Sequence, residues 1–324
     1  MSRKTTMIAA IREAIDEEML RDENVIVLGE DIGPLGGPFG SCIGLLEKYG
    51  PDRILSTPIS EWGFTGIGVG TAMRGKRPIV ELMYNDFISV CLDPVMNQAA
   101  KLHYMTGGQV KIPMVLRAPM GTGRRGAAQH SQNMESLFAH IPGLKLVCPS
   151  TPEDAKGLLK TAIRDDDPVV FLEHKLLYPQ KVETPDEVAP IPLGSARTRR
   201  EGTDLTIFVS GFMTTDALAA AEKLAAEGIS CEVVNVHTIK PIDREGVIAA
   251  AKKTGAVLTV ENHNVIGGLH SAVLEALAEE KLPVCAVGVQ DRFGEVGKMP
   301  YLREAMGLTV ENIVATAKKA VALK

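Results

Sequence analysis

RILSTPISEWGFTGIGVGTAMRGKRPIVELMY, residues 53–84, decides the fold. RILSTP (53–58) reads as a strand, the glycine-rich segment from Glu61 as a helix, and RPIVELMY (77–84) as a second strand. Strand, helix and strand in succession are the signature of a parallel sheet covered by helices. The rhythm continues outward in NVIVLG (24–29), PMVLRAP (113–119), LKLVCPS (144–150) and PVVFLEH (168–174). Between the last two, TPEDAKGLLKTAIRD has Ser150 or Thr151 to cap a helix and Pro152 for its first turn. PQKVETPDEVAPIPLGSARTRREGT (179–203), with four prolines, breaks the rhythm and reads as a connection. A second series follows: strands DLTIFVSG (204–211), SCEVVNVHT (230–238), AVLTVEN (256–262) and PVCAVGVQ (283–290), with helices near 214–227, 243–254, 267–281 and 309–322. The expected fold is α/β, with two doubly wound domains at 1–185 and 204–324 and a linker at 186–203.

Bulk properties agree with that division. The chain has 324 residues, too many for one ordinary domain and comfortable for two. It is 45% hydrophobic and 23% charged, so a large core can form. The net charge of -5 is spread as mixed signs, which excludes a basic stripe for nucleic acid or a polybasic tail for membranes. No apolar run approaches the roughly 20 residues of a membrane span. MSRKTTMIAAIREAIDEEML reads as an amphipathic helix and not as a signal peptide. The five cysteines, Cys42, Cys91, Cys148, Cys231 and Cys285, are scattered and form no CxxC pair. They read as reduced packing thiols of a cytoplasmic protein.

Several residues are candidates for chemistry. Glu61 sits at a strand's C-terminal edge, where α/β proteins bind ligands, although an acid there also suits a helix N-terminus. Gly66, Gly68 and Gly70 do not have GxGxxG spacing and read as close helix packing. His130 lies in APMGTGRRGAAQHSQNMESLFAHIPGL (118–144), a polar loop after a strand, where an imidazole can transfer protons. MYNDFISVCLDPVMNQAAKLHYMTGG (83–108) reads as a strand edge and a long helix. Phe87 there suits either a flat ligand ring or the core. Asp93 is a carboxylate in an apolar helix and needs a partner if buried, and Pro94 restarts the helix. Glu30, in GEDIGPLGGPFG (29–40), is a site acid or part of a solvated turn. The acids of AIRDDDPVVF (162–171) either bind a cation or sit in solvent. His103, His140, His174, His237, His263 and His270 fit no zinc pattern and default to structure. His263 and Asn264, between a strand and a helix, keep an interface or substrate role open.

Taken together and in order, GEDIG, GGPFG, GLLEKYGPDRILSTPISEWG, RPIVELMYNDF, AAQHSQ, PGLKLVCPSTPEDAKGLL and AIRDDDPVVFLEHKLLY resemble the β subunit of 2-oxoacid dehydrogenase E1 components. That family includes pyruvate, branched-chain 2-oxoacid and acetoin dehydrogenases. The resemblance implies a pyrimidine-binding thiamine-diphosphate domain followed by a transketolase C-terminal domain. It implies that Glu61 bonds the aminopyrimidine N1′ of thiamine diphosphate, that Phe87 lies beside that ring, and that His130 is an active-site histidine. Glu30 and Asp93 match acids between paired active sites. Met114, Ala162, Ile163, Asp165 and Asp167 match a potassium site, with Asp167 standing where relatives often carry Asn.

The diphosphate motif of the family, Gly-Asp-Gly with a later Asn, is missing, and no Gly-Asp pair occurs in the chain. The resemblance therefore implies a separate α subunit that holds Mg2+ and the diphosphate, an α2β2 assembly, and transfer of the acyl group to a lipoyl-bearing E2. EVGKMPYLREAMGLTVENIVATAKKAV departs from the E1 pattern, while ENHNVIGGLHSAV (261–273) and DRFGE (291–295) resemble the C-terminal chain of split transketolases. The alternative function is thus the C-terminal subunit of a two-chain transketolase that transfers a two-carbon ketol unit.

Overall fold

A computed structural model describes residues 2–122 and 126–324. In chain order it begins with β1 (Ser2–Thr6), α1 (Met7–Arg21), β2 (Val25–Glu30), α2 (Leu45–Tyr49), β3 (Ile54–Thr57), α3 (Glu61–Met73) and β4 (Arg77–Glu81). A 3-10 turn (Asn85–Ser89) and a π-helical turn (Pro94–Ala99) lead to α4 (Leu102–Met105), β5 (Val115–Met120), α5 (Glu135–His140), β6 (Lys145–Val147), α6 (Pro152–Arg164), β7 (Val169–His174) and β8 (Lys181–Pro185). Then come β9 (Arg197–Arg200), β10 (Leu205–Val209), α7 (Thr214–Ala226), β11 (Cys231–Asn235), β12 (Thr238–Lys240), α8 (Arg244–Thr254), β13 (Val257–Asn264), α9 (Leu269–Ala276), β14 (Val284–Val289), α10 (Met299–Ala305) and α11 (Val310–Ala322). The described residues of Met1–Met120 and His140–Leu193 form one compact unit, and those of Gly121–Ala139 and Gly194–Lys324 form another.

In the first unit, β6-β7-β5-β4-β2-β3 lie side by side in one parallel sheet. Every residue of β2, β5 and β7 is buried, as expected of strands covered on both faces. From β2 the chain leaves to β3 on one side and resumes at β4 on the other, which places the topological switch point at β2. The capping expected at Thr151 is present: its hydroxyl accepts from the Asp154 N–H at 3.1 Å, and Pro152 opens α6. Lys156 of α6 pairs with Glu13 and Glu17 of α1 at 2.9 and 2.7 Å, and Arg164 pairs with Glu18 at 2.6 Å.

Three local expectations need correction. The N-terminal segment is not helical from its start: β-branched Thr5 and Thr6 close β1, which pairs antiparallel with β8, and the Thr6 hydroxyl caps α1. The long helix expected within 83–108 is a broken series of short turns, because Pro94 removes a donor and restarts the chain. The proline-rich stretch is not all connection, since Arg197–Arg200 forms an edge strand of the second unit.

That second unit has the order β14-β13-β10-β11-β9, parallel except for antiparallel β9. Its switch point is at β10, and α7 and α11 cover a core that includes Ile207, Val209, Leu224, Leu258, Ile313 and Ala317. Two doubly wound sheets are therefore present. The five cysteines remain thiols, and four of them are buried.

Candidate active site

Glu61 is the first residue of α3 and is 7% exposed. It follows β3, whose end is level with that of β2, since Glu30 is in register with Thr57. Glu30, 5% exposed, is the last residue of β2. The two acids thus arrive at the C-terminal edge of the sheet beside its switch point, and their carboxyls share a hydrogen bond. Burial, then the charges of Glu61 and Asp31, push the Glu30 carboxyl up to about 7. Glu30 Oε1 is buried and has no hydrogen-bond partner among the described residues. The arrangement is a buried carboxyl pair in which Glu30 keeps its proton toward neutral pH and has one oxygen left over for a ligand.

The Glu30 shift makes a prediction about stability. The folded state binds this proton more tightly than the unfolded chain does, so the contribution of Glu30 is fully present below its ordinary value of 4.5 and is lost as pH rises to about 7. Glu30→Gln should reduce the loss of thermal stability between pH 5 and pH 8. Melts of both proteins across that range check it, and parallel curves would remove the assignment.

Phe87 lies in the 3-10 turn after β4, at the same edge of the sheet. Its ring meets Tyr84 edge-on at 5.9 Å between centroids. Tyr84 meets Phe39 at 5.9 Å, and Phe39 meets Tyr178 at 5.2 Å. The Lys175 ammonium lies 4.8 Å from the Tyr84 ring centroid. Asp93 differs from expectation: it is exposed, and it accepts from Asn97 Nδ2 at 2.7 Å. No buried carboxylate has to be compensated there.

A buried network behind the site was not singled out in the sequence. Arg117 of β5 donates to Glu173 of β7 at 2.5 and 2.7 Å and to Glu81 of β4. Tyr178 donates to Glu173 at 2.6 Å, and Ser41 donates to Glu81 at 2.7 Å. Burial opposes the Arg117 charge, but the two glutamates carry the net effect well upward, so it stays a cation. The signal was available: RPIVE, VLRAPM and VVFLEH set Glu81, Arg117 and Glu173 among mostly apolar strand residues.

The remaining candidates lie elsewhere. His130 belongs to the second unit. Met114, Ala162, Ile163, Asp165 and Asp167 stand before β5 and β7, at the opposite edge of the parallel sheet from Glu61. Their groups already have partners. The Met114 carbonyl accepts from Val169, the Ala162 carbonyl from Asp165, and the Ile163 and Asp165 carbonyls from Arg77 at 3.1 and 2.9 Å. Lys145 pairs with the Asp165 carboxylate at 2.7 Å and with Asp167 at 3.2 Å. The acids 165–167 are thus paired with Arg77, Lys111 and Lys145, while the Asp166 and Asp167 side chains stay 44 and 50% exposed to solvent. Of Gly66, Gly68 and Gly70, Gly68 packs as expected: a Cβ there would lie 2.6 Å from Val80 Cγ2. Gly66 and Gly70 instead face open space.

Comparisons with known proteins agree with this architecture. Residues 3–181 match the transketolase pyrimidine-binding domain, and residues 194–313 match the transketolase C-terminal domain. The chain is 42% identical to the pyruvate dehydrogenase E1 component subunit beta of Rickettsia conorii, over 98% of each chain. It is 45% identical to the acetoin:2,6-dichlorophenolindophenol oxidoreductase subunit beta of Cupriavidus necator, over 90% of this chain and 88% of that one. It is 44% identical to the 2-oxoisovalerate dehydrogenase subunit beta of Bacillus subtilis, over 91% and 90%. Among solved structures, one described as a split gene transketolase, inactive beta4 tetramer, superposes with a TM-score of 0.85 at 31% identity, over 99% of this chain and all of that one. With its pair of matching domains and near full-length relatives of one kind, the chain belongs to the β-subunit family of 2-oxoacid dehydrogenase E1 components.

Proposed function

We propose that the chain is the β subunit of a thiamine-diphosphate-dependent E1, which decarboxylates a 2-oxoacid or cleaves acetoin and passes the acyl group to a lipoyl-bearing E2. The carrying observation is the buried Glu30–Glu61 pair at the switch point. The residues present fit the cofactor. A carboxyl at the start of α3 suits a ring nitrogen, Phe87 offers an aromatic face at the same sheet edge, and the unpartnered Glu30 Oε1 marks a polar place awaiting a donor. When bound, the cofactor supplies a nucleophilic carbon and an electron sink. Glu61 holds a proton at the pyrimidine nitrogen. Glu30, poised near 7, exchanges that proton with Glu61 without adding a second negative charge to a buried place. His130 steadies the substrate or the lipoyl transfer step as a proton donor or acceptor.

Diphosphate and Mg2+ are assigned to an α subunit in an α2β2 assembly, because this chain has no Gly-Asp pair. The outer face of α3 supports a partner: Trp62, Ile67 and Met73 are 59, 53 and 41% exposed, and Gly66 and Gly70 leave open space for another backbone to approach. The inactive beta4 tetramer of a split gene transketolase accords with the same idea of a chain that needs its complement. Trp62 is the only tryptophan. Mixing with the α subunit should therefore shift its emission to shorter wavelength, and the chain alone should bind the cofactor poorly. Unshifted emission in a catalytically active mixture, or tight binding by the chain alone, would contradict the half-site. Potassium is assigned to the second lone pairs of the 114, 162, 163 and 165 carbonyls, in competition with Lys145 for Asp165 and Asp167.

The test of the activity is 2-oxoacid-dependent reduction of an artificial electron acceptor by the assembled subunits. Ketol transfer between sugar phosphates, with no activity on a 2-oxoacid or acetoin, would select the transketolase alternative.

A further inference from the structure

Within the second unit, ENHNVIGGLH (261–270) closes on the segment that carries His130. Glu261 and His263 lie near the irregular end of β13 and both come up against Gly268. The Glu261 carboxylate accepts from the Leu269 and His270 N–H groups at 2.7 and 2.9 Å and caps α9. His263 Nδ1 donates to the Asn264 carbonyl, because a carbonyl can only accept. In the neutral ring Nε2 is then the acceptor, and it receives the Ser136 N–H at 3.4 Å and lies 3.2 Å from Ser136 Oγ. Glu135 Oε2 lies 3.8 Å from Nε2, and Glu261 Oε2 lies 3.8 Å from Nδ1. All three side chains are buried.

Two glycines make this approach possible. At Gly267, whose φ is 77°, a Cβ would lie 2.9 Å from Ser136 Cβ. At Gly268 it would lie 2.5 Å from His263 Nδ1 and closer still to Glu261. Upstream, the Gly121 N–H donates to the Gln132 carbonyl at 2.9 Å and closes the neck of the loop. Gly126 is pressed against His130, where a Cβ would meet His130 Cβ at 2.5 Å. His130 thus belongs to a loop closed at its neck and fastened just beyond it by His263.

We propose that His263 is a positioning residue: with Glu135 and Glu261 it anchors the base of the loop that presents His130. The inference rests on the role assigned to His130 above. Burial pushes both carboxyls up, Glu261 to about 7.

The test uses the full chain assembled with its α subunit and two variants, His263→Leu and His263→Gln. Amide hydrogen exchange is read in peptides from 126–139 and, as a control, from β10 and α7. In His263→Leu, exchange in 126–139 should rise about tenfold, the loss of roughly one hydrogen bond, while the controls stay unchanged. The kcat of the 2-oxoacid reaction should fall with it, and cofactor affinity should not. The Gln side-chain oxygen can still accept the Ser136 N–H, so His263→Gln should restore most of both. No segment-specific rise, a rise shared by β10 and α7 that Gln does not correct, or a loosened segment with full kcat would each overturn the positioning role. An assembled wild type without 2-oxoacid activity would instead refute the functional reading, and the exchange result would still decide the anchor.

Discussion

Glu61→Ala should leave the chain folded and its assembled enzyme nearly silent. The expected loss in kcat is about 10²–10⁴-fold, the range typical of a positioned proton-transfer group. The fold should tolerate the change because Glu61 gives α3 only a favourable charge at its N-terminus, about 0.3–1 kcal/mol, and the Ser60 cap makes no side-chain bond that could be lost. Helix packing rests on Phe64, Gly68, Val69 and Ala72, which the substitution leaves alone. The decisive measurement is exchange of the acidic carbon-bound proton of the cofactor in the assembled variant. Undiminished exchange would take the activating role from Glu61, even if turnover fell for another reason. Loss of exchange with an unchanged melting temperature would separate chemistry from folding. Glu30 sharpens the test: once Glu61 is gone, the Glu30 carboxyl loses its second-largest cause of elevation, and its titration should move down toward the ordinary value of 4.5.

The parallel order was legible because each strand is a compact apolar run with a helix between it and the next. Glu61 and Glu30 were legible for the same reason, since an acid that ends such a run must emerge at the C-terminal edge of the sheet. What periodicity cannot report is the partner across the sheet. Glu81, Arg117 and Glu173 each look like one odd charge in a strand, and only the registers of β4, β5 and β7 bring them together. Periodicity also fails to separate 3-10 and π turns from an α-helix over 85–105, because their apolar spacings overlap over so few residues. Contiguity misleads in a different way. Gly121–Ala139 lies between two strands of the first sheet, yet its contacts place it with the second unit, through bonds such as that from Ser136 to His263. The glycines of α3 show the same limit: sequence spacing treats Gly66, Gly68 and Gly70 alike, whereas only Gly68 faces β4.

Arg117→Leu should be the most damaging single change in the first unit, with a destabilisation of roughly 3–5 kcal/mol, the range seen when one member of a buried ionic group is removed. The guanidinium lies between two carboxylates in the middle of the sheet, and all three side chains are at most 1% exposed. Leucine fills much of the volume but strands Glu81 and Glu173 without a cation. Tyr178 and Ser41 still donate to them, one bond each, which does not replace a bidentate guanidinium. An isolated buried carboxyl favours its protonated form, so the deficit should be largest at alkaline pH and shrink as pH falls toward 5. Adding Glu81→Gln and Glu173→Gln should recover part of the loss, because neutral amides can be buried with fewer partners. Denaturant titrations of the wild type, Arg117→Leu and the variant with both added glutamines, at two pH values, check both statements. A deficit that is independent of pH and unrelieved by the glutamine changes would mean that Arg117 acts through volume alone. The network also bears on the site, because Tyr178 leads through Phe39 and Tyr84 to Phe87. In a marginally stable fold, a core ionic group this expensive is more readily understood as fixing the place of that aromatic series than as adding stability, since an apolar triad of the same shape would serve stability as well or better.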